Sequence, residues 1–226
     1  MQCRFHSVDG TVTKEDSGVW IQPVDALGFT PLAKVPHFAG AEEFQCDGSY
    51  CGLPYYYAKR AIFRRNWYLR GEKPEQISQF AFQNTIYTRE EKPNGVVRFH
   101  FNIPGPDHMV LFLTLHEGTE LADWSFYKFP DERHIVRTLD YMGGYTHIVF
   151  YTHGYMKENH QTTSWKFWMD FKRLHSPGTL GELGVARHYL HGGYSRSRLL
   201  NASIDALPEW VHDNSWCSNY DSYTLA

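Results

Sequence analysis

The 226-residue sequence predicts a mainly β protein, an antiparallel β-sandwich with one or two short helices. Three observations predict it. Aromatic residues make up 16% of the chain, as 7 Trp, 15 Tyr and 15 Phe, and such side chains favour a pleated, half-buried surface. The chain also carries 18 Gly and 11 Pro, which punctuate it with turns. Its apolar runs are short, whereas an α/β sheet would need helices of about 10–15 residues between strands. One domain, residues 1–226, accommodates the length.

The elements follow in chain order. Residues 18–21, Gly-Val-Trp-Ile, are strand-like after a polar stretch at 13–17. Residues 27–40 carry Gly28, Pro31, Pro36 and Gly40 and read as a loop. The period of 55–69 fits helix or strand, although Asn66-Trp-Tyr-Leu69 reads as extended. Lys92-Pro-Asn-Gly95 is a turn whose Asn-Gly pair favours positive φ. It leads into 96–103, where Val97, Phe99 and Phe101 share one face and Val96, Arg98 and His100 the other. Pro104-Gly-Pro106 then turns the chain into 109–115, a central strand. Residues 145–151 and 164–171 are further strands. In the latter, Trp165, Phe167 and Met169 alternate with Lys166, Trp168 and Asp170. Residues 197–207 form the helix, with Leu200, Ile204 and Leu207 on one face and Pro208 as its stop.

Charge and hydropathy exclude several classes of function. Lys and Arg number 22 against 25 Asp and Glu, a net charge of −3, which lacks the basic footprint of a nucleic-acid binder. The longest nearly apolar run, 109–115, falls far short of the ~20 residues of a spanning helix. Met1-Gln-Cys-Arg-Phe-His runs straight into polar residues and shows no signal peptide. The expectation is a soluble protein or a piece of a longer one.

Each catalytic pattern in the sequence has an ordinary structural alternative. The chain has 13 His but no His-Glu-x-x-His pair, and no His is followed two residues later by Asp. His188 and His191 would face opposite sides of a strand, so hydrogen-bonded or exposed histidines are the default. His153-Gly154 resembles an oxyanion turn, but Gly193-Tyr-Ser195-Arg-Ser197 misses the final glycine of a nucleophile elbow. Lys59, Arg60, Arg64, Arg65 and Arg70 interleave with Phe63, Trp67 and Tyr68. That cluster reads as a solvated face or as partners of acids such as Glu72 and Glu75. Cys46 and Cys51 enclose a four-residue loop that permits a tight disulfide. Cys3 and Cys217 lie near the termini with no readable pairing. Asn201-Ala-Ser203 is the one N-glycosylation sequon and, with the cysteine loop, leans toward a lumenal or extracellular setting.

A set of segments, in order along nearly the whole chain, then resembles a known family. They include Asp16-Ser-Gly-Val-Trp-Ile21, Cys51-Gly-Leu-Pro54, Asn66-Trp-Tyr-Leu69, Gly105-Pro-Asp-His-Met109 and His116-Glu-Gly118. Trp124-Ser-Phe126, Trp165-Lys-Phe-Trp168, His188-Tyr-Leu-His-Gly192, Pro208-Glu-Trp210 and Trp216 through Asp221 continue the series. The chain resembles the C-terminal lumenal region of the endoplasmic reticulum metallopeptidase family. The resemblance implies a membrane-tethered zinc peptidase whose zinc domain and transmembrane helices would precede Met1. No zinc ligand of that family maps onto this sequence, so the expected cofactor is zinc in the parent and none here.

The expected function is therefore a non-catalytic lumenal domain that supports, docks or presents substrate to the peptidase domain. Its expected partners are that domain and the lumenal membrane face, with no nucleic acid. Arg64, Arg65, Trp67 and Trp168 are the candidate docking anchors, because Trp and Arg dominate interface energetics. Loops such as 27–40 folding over these aromatics are the competing expectation for Trp67 and Trp168. The competing function is a carbohydrate-binding module, since exposed Trp and Tyr on a sandwich stack well on sugar faces; a lipase-like serine hydrolase is the third, less favoured expectation.

Overall fold

The computed structural model describes residues 2–23, 27–43, 66–72, 85–126, 147–152, 163–174, 178–190 and 196–226. Numbered along the chain, its strands are β1 (Gln2–His6), β2 (Val12–Ile21), β3 (Glu42–Glu43), β4 (Trp67–Arg70), β5 (Ile86–Lys92) and β6 (Val96–Gly105). There follow β7 (His108–Leu115), β8 (Thr119–Trp124), β9 (His147–Thr152), β10 (Thr163–Arg173), β11 (Gly181–Tyr189) and β12 (Cys217–Leu225). The helix α1 spans Arg198–Asp205.

The strands make an eight-stranded sheet, in the order β3-β4-β2-β1-β12-β11-β7-β9, and a four-stranded sheet, β5-β6-β10-β8. The mainly β sandwich predicted from the sequence is the fold observed. Every described pair is antiparallel except β1 with β12, which run parallel. Antiparallel neighbours are joined by short turns, but a pair from opposite ends of the chain has no such constraint.

The core lies between the sheets and follows from alternation. Val97, Phe99, Phe101 and Ile103 on β6 and Trp165, Phe167, Met169 and Phe171 on β10 point inward and are buried. They meet Leu111 and Leu113 of β7, Leu183 and Val185 of β11 and Leu225 of β12. Aromatic rings stack within this layer, Phe101 on Phe167 at 4.9 Å and Tyr151 on Trp165 at 4.6 Å. A second cluster, Cys3, Val110, Phe112, Ala186 and Tyr220, occupies the other face of the large sheet. There the Tyr220 ring lies across Gly184, where a Cβ would sit 2.5 Å from the phenol oxygen.

A satellite cluster gathers the 27–40 loop. Two short 3₁₀ turns, Leu32–Lys34 and Pro36–Phe38, bury Leu32 and Phe38 beside Phe29, Val19 and Leu69. Leu199 and Leu200 of α1 pack on the same cluster, and His37 Nε2 meets Ser203 Oγ at 3.0 Å. Ser197 caps α1, its hydroxyl accepting the Leu200 N–H at 3.1 Å.

Several elements differ from the sequence reading. The polar stretch 13–17 is strand, because β2 begins at Val12 and its exposed half pairs with β1. Pro104 and Gly105 do not turn the chain; they continue β6 opposite Ser164 and Thr163 of β10. Asn94 at φ 67° and Gly95 at φ 72° form the left-handed turn joining β5 to β6, as the Asn-Gly pair predicts. Strands β1, β3, β5, β8, β11 and β12 have no counterpart in the sequence reading. Their apolar alternation is interrupted by charged and polar residues, several of them buried, such as Arg4, Arg187, Asn219 and Asp221.

Candidate functional site

The outer face of the four-stranded sheet carries a shallow cleft of about 420 Å³. Alternation delivers its side chains. Arg98, His100 and Asn102 point outward from β6 because Val97, Phe99 and Phe101 point in, and Lys166 and Trp168 do the same from β10. Register then sets them side by side, Trp168 opposite His100 and Lys166 opposite Asn102. Ile86, 59% exposed, and Thr88 bound the cleft from β5.

Trp168 is half-buried, and Arg98 holds it. The guanidinium carbon lies 3.6 Å from the centre of the indole ring. Arg98 is itself fixed by Asp170, donating from Nε to Oδ1 at 2.6 Å and from Nη2 to Oδ2 at 2.7 Å. This bidentate pair makes the guanidinium still harder to deprotonate. The Trp168 backbone is also held, its N–H donating to Ser125 Oγ at 2.9 Å and its carbonyl accepting the Ser125 N–H at 3.0 Å. Trp168 lines the cleft, whereas Arg98 and Asp170, which hold its indole, do not.

Of the other predicted residues, those described lie away from this cleft. Trp67, also half-buried, stacks face to face on Phe29 at 4.2 Å and adds to the satellite cluster, so the loop over it accounts for much of its contact. Arg64, Arg65, Cys46 and Cys51 lie outside the described residues, as do His153, His191 and Ser195. Asn201 is exposed on α1, whereas Ser203 of the same sequon is buried and donates to the Leu199 carbonyl at 2.8 Å. Cys3 pairs across from Tyr220, three residues along β12 from Cys217. That offset is roughly 10 Å of strand, beyond disulfide reach.

A buried ionic cluster has no counterpart in the sequence reading. Asp221, with a fully buried side chain, accepts from Arg187 Nη1 at 2.6 Å and Arg4 Nε at 2.9 Å, and His6 Nε2 lies 3.0 Å away. Arg187 donates further to the Pro104 carbonyl at 2.9 Å and to Thr85 Oγ1 at 3.0 Å. Burial alone would raise the Asp221 carboxyl, but the bond to His6 and the charges of Arg187 and Arg4 together hold it below the usual range. The sequence signal was available: Arg187 and Asp221 sit at inward positions of strands that otherwise alternate, Leu183-x-Val185-x-Arg187 and Asp221-x-Tyr223-x-Leu225.

A family model described as "Endoplasmic reticulum metallopeptidase 1, C-terminal domain" matches residues 1–223. The chain belongs to this family. Curated relatives named endoplasmic reticulum metallopeptidase 1 are similar to it, from Rattus norvegicus at 28% identity over 225 residues and from Homo sapiens at 28% over 227. Each alignment covers 98% of this chain and 23% of the relative, so the chain spans about a quarter of the length of these proteins.

A metal ion bound by this chain would need several converging ligands. Among the described residues no three His, Cys, Asp or Glu side chains converge to hold an ion. His108 and His188 face each other across β7 and β11 with ring centres 5.4 Å apart. His188 Nδ1, however, accepts from Trp216 Nε1 at 3.3 Å and contacts Ser218 Oγ at 2.8 Å. Asp221 is already surrounded by cations. These groups do not fit a zinc site.

Proposed function

We propose that this chain is a non-catalytic lumenal domain of a membrane-tethered endoplasmic reticulum zinc metallopeptidase, serving its peptidase domain by support, docking and substrate presentation. The observation that carries this reading is the match of residues 1–223 to the C-terminal domain of the family, in a chain that covers 23% of its relatives. The clamped Trp168 face is where the domain meets other molecules, because a pre-oriented indole backed by Arg is the kind of group that dominates interfaces. The peptidase domain is its first partner and the lumenal membrane face its second. On the lumenal side Asn201 carries a glycan; its exposure suits a bulky polar group. Because Ser203 is tied into α1, addition precedes docking of the helix.

In the full-length protein, removing this domain is expected to lower peptidase activity or abundance several-fold. Full activity at normal abundance after removal would overturn the proposal. Glycosidase treatment of the full-length protein is expected to lower its mass, and Asn201→Gln to abolish that loss.

A further inference from the structure

The chemistry of the Trp168 cleft names its ligand class. We propose that it binds carbohydrate, seating the C–H face of a pyranose ring on the indole of Trp168 and holding hydroxyls with His100, Asn102 and Lys166. The inference rests on the reading of this face as a contact surface and adds what is bound there.

Four observations carry it. The indole lines the cleft and is oriented in advance by the Arg98 guanidinium stacked on it, so little side-chain freedom is lost on binding. Beside it stand groups suited to hydroxyls. The Asn102 amide is set by the Ser164 hydroxyl that it accepts, and His100 is held 3.3 Å from Glu90. Lys166, exposed, makes no ion pair among the described residues. Among the described residues no carboxylate lines the cleft. The cleft is open and shallow, which suits a flat ring better than a peptide side chain that needs an enclosed socket.

Topology argues against an extended peptide. Strand addition requires an open sheet edge, whereas the cleft opens on the face of the sheet, centred on β6 and β10, each already paired on both sides, with β5 only at its margin. What the face offers is side chains.

The test titrates the 226-residue chain with short neutral oligosaccharides of mannose, glucose and N-acetylglucosamine, followed by calorimetry and NMR, with unstructured peptides as the comparison. At least one oligosaccharide series is expected to saturate. Trp168→Ala should weaken it about tenfold, as loss of a stacking aromatic implies. Asn102→Ala and Lys166→Ala should weaken it several-fold, while Trp210→Ala, at a Trp 60% exposed outside the cleft, should leave it unchanged. Asn102 and Lys166 lie outside the core, so their variants decide the matter even if Trp168→Ala does not fold. Failure of every sugar to saturate at millimolar concentration overturns the proposal. So does binding indifferent to Asn102 and Lys166, or saturation by peptides alone. If no sugar binds but domain removal still lowers peptidase activity, the accessory role stands and the ligand assignment falls. If sugars bind through Trp168 and domain removal changes nothing, the reverse holds.

Discussion

Asp221 gathers two guanidiniums and an imidazole around one carboxylate that water does not reach. Such a cluster adds little net stability when intact, because desolvation of the charges offsets their attraction. Breaking it is another matter. Asp221→Asn would leave Arg187, 1% exposed, without its charge partner, and is expected to cost about 3–5 kcal/mol in denaturant unfolding. His188 makes a second prediction at this scale. Burial first, and the neighbouring His108 second, push its pKa down to about 3, so the folded state holds it neutral. In the unfolded chain it takes a proton below about pH 6.5. Its contribution is therefore complete above that pH and is lost as pH falls toward the folded value, on the order of 2 kcal/mol by pH 5. His188→Gln is expected to flatten the decline in stability between pH 7 and pH 5, and an unchanged slope would remove His188 as its cause.

Among the elements, β6 and β10 do most to place both the core and the cleft. One set of alternating side chains fills the space between the sheets, which obliges the other set to face outward. Neighbouring residues should consequently differ sharply in their effect. Phe99→Ala, at 1% exposure, is expected to cost about 3–5 kcal/mol, and His100→Ala no more than about 0.5 kcal/mol. Thermal melts of the two variants compare them directly. The helix α1 works differently. It is short, and it is held by its Ser197 cap and by Leu199 and Leu200 against the satellite cluster rather than by intrinsic propensity.

At the scale of the molecule, the two sheets share one core and are further joined through Arg187. From β11 of the large sheet it reaches Asp221 on β12 and the Pro104 carbonyl at the end of β6. Neither sheet can bury its inner face without the other, so the described strands should unfold together. Near-ultraviolet dichroism and tryptophan fluorescence are expected to give coincident denaturant transitions, and two separated transitions would show that the sheets melt independently.

The sequence alone determined the features whose causes are local. Period-two alternation placed the inward rings of β6 and β10 and turned Trp168 outward, because side chains alternate in any extended chain. Asn94-Gly95 announced its turn through positive φ, and Pro208 marked the end of the helix through its missing N–H, whereas the Ser197 cap came only with the structure. The ordered segments also led to the right family. Only the tertiary structure decided the rest. A charged residue in a strand reads as solvent-facing until its partners are known, and Arg4, Arg187 and Asp221 come together only because the two chain ends pair in one sheet. In β11 and β12 the alternation around Arg187 and Asp221 was present in the sequence, but the two charges masked it. The clamp was equally hidden, since Arg98 meets Asp170 through the cross-strand register and not through spacing along the chain. Trp67 and Trp168 looked alike in sequence. The first is stacked on Phe29 of a loop and the second stands over a cleft, a difference set by what the rest of the chain lays beside them.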